Sequence, residues 1–262
     1  MPEESNRLLT EERRREILGI LEKNGRVSIG EISKRFGVST VTARGDLNAL
    51  SEAGTLIRSW GGGIKPLAAV PEHPLKVREN IRRDEKVRIA RYAAGLIKPH
   101  QTVILCTGST SALLAAELRA SPPHGVSIIT YALNIASILS DIPGISLIML
   151  GGVFRNPSTA FVGPHAEQMI GTLHADHCFL SAVGLDPHIG ITTIDIMEAH
   201  LNRQMINAAA QVTVLADSSK FGHRSLSVVT DFRLVHRVIT DSAAPKDAIE
   251  KLRLMQIEVC SV

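Results

Sequence analysis

Cysteine is scarce: three occur in 262 residues, at positions 106, 178 and 260, and none sits in a CxxC. An odd, unclustered set excludes a disulfide-stapled secreted module and a structural zinc ribbon, and points to a reducing, cytoplasmic setting. The ten histidines form no HExxH or other metal-ligand spacing, so no metal and no cofactor is expected. No apolar run approaches the roughly 20 residues of a membrane span. The opening MPEESNRLLTEERRREI has no apolar stretch of the kind a secretory signal needs. Internal repeats and low-complexity tracts are also missing. What is present is ordinary globular composition, 44% apolar and 21% charged, in a chain long enough for one large or two ordinary domains.

Net charge is only +3, yet it is unevenly spread. Residues 1–91 carry 18 Lys and Arg against 13 Asp and Glu, and residues 92–262 carry 11 against 13. A basic front suits a polyanionic partner. Its apolar spacing predicts a helix over Thr10–Lys23, closed by Asn24-Gly25, and a second over Ser28–Phe36, where Ser28 and Glu31 have capping-box spacing. After the tight turn at Gly37-Val38, Ser39 caps a third helix running to Ala53, with Gly54 as its stop. A strand over Thr55–Trp60, a turn at Gly61-Gly62-Gly63 and a return strand from Ile64 follow. Three short helices and a hairpin make a winged helix-turn-helix over residues 1–65. Residues 66–74, with three prolines from Pro66 to Pro74, read as a linker.

The N-terminal part of the second helix of such a motif enters the DNA major groove. With Ala43, Leu47 and Leu50 facing inward, Val41, Gly45 and Asn48 face outward and Arg44 lies on the flank. Ser39, Thr40 and Thr42 stand at the helix start, where hydroxyls and free N–H groups hold phosphate. Arg44 can pair with phosphate or guanine, Asn48 with adenine, and Val41 can touch a thymine methyl. Arg58 and Trp60 belong to the wing.

Residues 75–262 change character. A basic amphipathic helix is expected over Leu75–Ile97. Apolar strands are expected at Thr102–Cys106, Val126–Thr130, Ser146–Leu150, Cys178–Ala182, Val212–Ala216, Arg237–Thr240 and Ile257–Cys260. Helices fall between most of them, at Thr110–Arg119, Leu133–Ser140, Pro164–Thr172, Ile196–Ala209 and Pro245–Arg253. That alternation describes an α/β domain with a mostly parallel sheet covered on both faces. In LCTGSTS (105–111) a strand end, Gly108 and the hydroxyls of Ser109, Thr110 and Ser111 precede a helix, which makes an anion site or a plain turn. Lys220 is either a counter-charge to that anion or a solvated loop lysine. Asp186 binds ligand hydroxyls or shapes the Asp186-Pro187 turn. Asp176, Asp217, Glu198 and Arg203 are lesser candidates.

The stretch FGVSTVTARGDLNALSEAGTLIRSWGGG resembles the signature of the DeoR family of bacterial transcriptional regulators. Arg44, Asp46 and Leu47 match its recognition-helix core. Gly45 stands where a second basic residue is usual, and Trp60 where a histidine is common. The resemblance continues through LCTGSTS, LGGVF (150–154), FLSAVGLDPHIGITT (179–193), EAHLNRQM (198–205) and ADSSKFG (216–222), with EAHLNRQM and VSTVT nearest the N-acetylgalactosamine branch. Cys106 replaces a frequent aspartate and Tyr131 a usual asparagine. The resemblance implies a sensor domain similar to the ribose-5-phosphate isomerase and CoA-transferase-like fold, a phosphorylated sugar as effector, and Lys220 at its site. The expected function is a repressor of a sugar-utilisation operon, a homo-oligomer (dimer or tetramer) that leaves operator DNA when a sugar phosphate binds. No catalytic residues are expected. The alternative is a sugar-phosphate isomerase carrying a DNA-binding head, which would need a placed general base that the sequence does not display.

Overall fold

The computed structural model describes residues 10–52, 55–59, 61–64 and 73–262. The expectations placed on Ala53, Gly54, Trp60 and linker residues 66–72 lie outside the described residues. The chain divides into two compact units, Met1–Ala69 and Val70–Val262.

The first unit contains α1 (Thr10–Asn24), β1 (Arg26–Ser28), α2 (Ile29–Phe36), α3 (Thr40–Glu52), β2 (Ile57–Ser59) and β3 (Gly62–Ile64). Its core gathers Ile17, Ile20, Leu21, Val27, Ile32, Ala43, Leu47, Leu50 and Leu56. Local chemistry sets the boundaries. Gly25 ends α1 in the left-handed region, with its N–H bonded to Leu21. Ser28 caps α2 with both halves of the capping box in place. Gly37 closes α2 at φ 62°, and the Ser33 hydroxyl donates to the Val38 carbonyl across the turn into α3.

The wing corrects one expectation. Gly62 and Gly63 are not a turn; they form the central strand of a three-stranded sheet ordered β1-β3-β2. A Cβ on Gly62 would lie 2.1 Å from the Val27 carbonyl oxygen, and one on Gly63 would lie 2.9 Å from Leu56 Cδ1. The glycines serve close backbone approach, which a sequence reading takes for turn chemistry.

A buried ionic clasp ties α1 to α3. Asp46 is 2% exposed, and its carboxylate accepts from Arg13 Nε at 2.6 Å, Arg13 Nη2 at 3.2 Å and Arg14 Nε at 3.0 Å. It sits between Ala43 and Leu47 on the inward side of α3.

The second unit begins with α4 (Leu75–Asn80) and α5 (Arg83–Ala94). These replace the single helix expected over Leu75–Ile97. Arg82 adopts φ 52° between them, and Lys86 Nζ donates to the carbonyls of Arg78 and Ile81, both at 2.6 Å. The break thus has its freed carbonyls satisfied by a buried lysine, and Asp84 and Glu85 start the new helix with the favourable charge.

Beyond it come β4 (Thr102–Leu105), α6 (Ser109–Ala120), β5 (Ser127–Thr130), α7 (Leu133–Leu139), β6 (Ser146–Met149), β7 (Val153–Arg155), β8 (Ala160–Val162), α8 (Pro164–Ile170), β9 (Ala175–Ser181), β10 (Gly184–Asp186) and β11 (Gly190–Thr193). The chain continues through α9 (Ile196–Asn207), β12 (Ala209–Leu215), β13 (Ser227–Thr230), β14 (Arg237–Thr240), α10 (Lys246–Leu254) and β15 (Glu258–Ser261). Seven strands form one parallel sheet in the order β15-β14-β12-β9-β4-β5-β6. They are the seven apolar runs read from the sequence. Alternate residues supply two cores: Val103, Leu105 and Phe179 pack with α5, α6 and α7, whereas Ile104, Cys178 and Leu180 pack with α8, α9 and α10.

Two smaller antiparallel pieces were not expected: the β7–β8 hairpin and the sheet β10-β11-β13. Their strands are three or four residues long, too short for alternation to stand out. The strand order reverses direction at β4. From there the chain first winds outward through β5 and β6, then returns to lay β9 on the other side. The carboxyl ends of β4 and β9 therefore diverge into a crevice, the usual ligand position in open α/β sheets.

Candidate functional site

In the first unit, α3 presents a polar, exposed side. Thr40, Val41, Thr42, Arg44, Gly45 and Asn48 are exposed, while Ala43, Asp46, Leu47 and Leu50 are buried. Val41 is 75% exposed at the helix start. Ser39 is engaged as the cap: its hydroxyl accepts from the Thr42 N–H at 3.1 Å and lies 2.9 Å from Thr42 Oγ1. Arg58 Nη1 donates to the Gly62 carbonyl at 2.8 Å, so part of its guanidinium is spent within the wing. Trp60 lies outside the described residues.

In the second unit a cavity of about 220 Å³ opens at the β4/β9 crevice. Thr107 and Gly108 line it from the β4–α6 loop, Ser109 and Thr110 from the first turn of α6, and Ser181, Ala182 and Val183 from the end of β9. Gly108 has φ 146°, and a Cβ there would sit 2.4 Å from Ser181 Cβ, so only glycine lets the two strand ends approach this closely. The N–H groups of Ser109 and Thr110 are among the first of α6 and have no intrahelical carbonyl to bond. Ser111 stands apart from the other three: it is fully buried, its hydroxyl is 2.9 Å from Ser181 Oγ and its N–H donates to that oxygen, so it holds the loop and does not line the cavity.

The lining is rich in cations: it includes Arg78, Lys86, Lys220 and Arg224, with His73 and His223. Lys220 Nζ lies 4.0 Å from Asp217, which also lines the cavity and accepts from the Ser219 N–H. Burial pushes the Lys86 ammonium down to about 8, partly opposed by the Asp217 carboxylate and reinforced by Lys220 and Arg78. Another part of the wall carries Glu198 and Asn202, one turn apart on α9, and Thr193. Glu198 is buried and ion-paired with Arg155 at 3.1 Å, and Arg155 also reaches Asp195 at 3.0 Å. Tyr131 donates to Asn202 Oδ1 at 2.7 Å from behind that wall.

Several expected positions are reassigned by these contacts. Asp186 does not line the cavity: its Oδ1 accepts from the His188 N–H at 2.8 Å and its Oδ2 from Arg224 Nε at 2.9 Å. Burial raises its pKa, and the Arg224 and His188 bonds outweigh that and hold it below the ordinary carboxylate value. It shapes the turn and anchors a cavity arginine. Asp176 is likewise away from the cavity, accepting from the Thr102 N–H, and Arg203 donates to the carbonyls of Val228 and Val229. Cys106 points into the sheet core against Cys178 and Met205, so its exchange for a polar residue would be felt there and not at the cavity surface. The sequence reading did not single out Arg78, Lys86, Arg224 or Asn202. Asn202 carried a usable signal, its four-residue spacing from Glu198; the cations reach the cavity only through the tertiary fold.

The two units match known families separately. Residues 13–65 match the DeoR-like helix-turn-helix domain, and residues 81–242 match the DeoR C terminal sensor domain. The chain belongs to the DeoR family of transcriptional regulators. Its relatives include an Escherichia coli O157:H7 protein named for transcriptional repression of the aga operon, 34% identical over 97% of this chain and 94% of that protein. The regulator GolR of Listeria innocua is 34% identical over 92% and 94% of the two chains, and the regulator IolR of Bacillus subtilis is 32% identical over 83% and 85%. As a DeoR-family member the protein is a DNA-binding transcriptional regulator and not an isomerase. The fold is similar to that of ribose 5-phosphate isomerase A from Methanocaldococcus jannaschii, with 21% identity, 53% and 54% of the two chains covered and a TM-score of 0.37. It is similar also to eIF2B delta from Chaetomium thermophilum, with 14% identity, 87% and 70% covered and a TM-score of 0.42. Likeness at that level concerns the path of the chain. No helix among the described residues is long and apolar enough to cross a membrane.

Proposed function

We propose that this regulator is a repressor whose hold on operator DNA is released by a phosphorylated sugar bound in the β4/β9 cavity. The observation that carries the reading is that Ser109 and Thr110, in the first turn of α6, and the lysines Lys86 and Lys220 line one cavity. Free helix N–H groups and cations are the complement of a phosphate, and the Glu198–Asn202 wall offers polar partners for the rest of a sugar. On the DNA side, Thr40 and Thr42 hold phosphate, Arg44 pairs with phosphate or guanine, Asn48 pairs with adenine and Val41 meets a thymine methyl. Arg58 and Trp60 add the wing contact, Ser39 supports the helix start, and Gly45 leaves room against the groove. One recognition helix reads one half-site, so the protein acts as a homo-oligomer, a dimer or tetramer, on a repeated operator. The effector binds two arrangements of the assembly with different affinity and thereby shifts their populations.

The test pairs two measurements on the full chain. Thermal-shift screening compares sugar phosphates with their unphosphorylated sugars, and DNA selected by the wild-type protein from a random pool serves as the operator probe. Ser109→Asp puts a carboxylate where the phosphate sits. It is expected to abolish stabilisation by sugar phosphates and release from DNA, with DNA affinity in their absence unchanged. Release of Ser109→Asp at the wild-type effector concentration would refute the phosphate position.

A further inference from the structure

We propose that Tyr131 is a positioning residue that holds the Asn202 amide as a hydrogen-bond donor to the ligand, so that the cavity selects sugar phosphates carrying an acceptor oxygen at that wall. The inference rests on the sugar-phosphate reading of the same cavity.

Tyr131 is fully buried, and its Oη lies 2.7 Å from Asn202 Oδ1. An amide oxygen carries no proton, and Tyr131 Oη meets no other acceptor among the described residues, so Oη sends its one proton to Asn202. Burial lifts the phenol pKa well above its usual value, so that proton is retained. Turning the amide over would face an NH2 to a hydroxyl whose proton then has no acceptor, a buried donor left unmade. With Oδ1 engaged by the phenol, Nδ2 is the group left for the cavity that Asn202 lines, and it donates to no described residue.

One turn earlier on α9, Glu198 supplies the complementary acceptor, held in place by Arg155. The wall thus offers a donor and an acceptor one helical turn apart. A hydroxyl or carbonyl oxygen satisfies Asn202; a protonated amine, which has no lone pair, does not.

The experiment measures Kd by calorimetry on the full-length protein. Glucose, galactose, mannose and fructose 6-phosphates and ribose 5-phosphate are screened first. The tightest binder is then compared with its analogues lacking one hydroxyl or bearing an amine in its place, and inorganic phosphate reports on the phosphate end alone. For wild type, loss of one particular oxygen is expected to weaken binding about tenfold or more. In Tyr131→Phe and Asn202→Ala that penalty is expected to fall below about threefold, with phosphate affinity changed less than twofold. Asn202→Asp, an acceptor at the same place, is expected to favour the amino analogue. If the penalty in Tyr131→Phe equals that of wild type, Tyr131 does not position the amide. If Tyr131→Phe fails to fold, the Asn202 pair decides: an unchanged selectivity profile in both overturns the proposal. If no sugar phosphate binds wild type, the effector reading fails and this inference falls with it; binding with an unaltered profile in the variants overturns this inference alone.

Discussion

Removing the Asp46 carboxylate should disable the DNA head without touching its DNA-facing side. Asp46→Ala leaves Arg13, whose side chain is 9% exposed, without its bidentate partner and strips Arg14 of its own. Breaking a buried pair by deleting one member costs about 3–5 kcal/mol, because the remaining charge stays desolvated. A unit of this size holds in total roughly 3–9 kcal/mol. The substitution thus consumes much or all of the margin, and at a urea slope of about 1 kcal/mol/M the midpoint falls by about 3 M or more. The chain's one tryptophan, Trp60, belongs to this unit, so its fluorescence during urea titration of the full chain follows the head selectively. Specific DNA binding should fail in parallel, while the circular dichroism of the sensor sheet persists. The paired change Arg13→Met with Asp46→Leu removes both charges and should restore stability to near the starting value. A loss under about 1 kcal/mol for Asp46→Ala, the worth of a surface pair, would refute the clasp.

Arg44→Ala should weaken operator binding by about 1–3 kcal/mol if the guanidinium reads a base; unchanged affinity in a low-salt gel-shift titration would reject α3 as the reading helix. Gly45→Arg meets no atom within 4 Å of its new Cβ, so the side chain is accommodated. It should steepen the salt dependence of DNA binding by about 0.9 in log–log slope, one added phosphate contact, and stabilise the helix by roughly 1 kcal/mol. Lys86 sets a pH dependence. Its folded pKa, about 8, lies below the unfolded value of 10.5, so between those values the unfolded chain binds the extra proton and sensor stability rises with pH. Anion binding should run the opposite way and weaken above about pH 8 as the ammonium is lost; calorimetry with inorganic phosphate at pH 7 and pH 9.5 checks this, and Lys86→Met should flatten the difference.

Much of this protein was legible without coordinates, where the information is local. The seven apolar runs became the seven strands of the large sheet because strands covered on both faces must be apolar throughout, a pattern carried within four to seven residues. Ser28 with Glu31 and the glycines at 25 and 37 set helix ends through bonds only a few residues long. The phase of α3 followed from Ala43, Leu47 and Leu50. Tertiary structure decided what depends on distant neighbours. Gly62 and Gly63 became a strand because Val27 and Leu56 press against them. The helix from Leu75 broke because Lys86 folds back onto the carbonyls of Arg78 and Ile81. Asp46 became the centre of a clasp because α1, more than thirty residues away, delivers Arg13 and Arg14. The cavity likewise joins residues 78–86, 107–110, 181–183, 193–202 and 217–225, and no window of sequence holds that set. Spacing along the chain reveals periodic burial, but convergence of charges on one crevice depends on strand order, which is a property of the whole sheet.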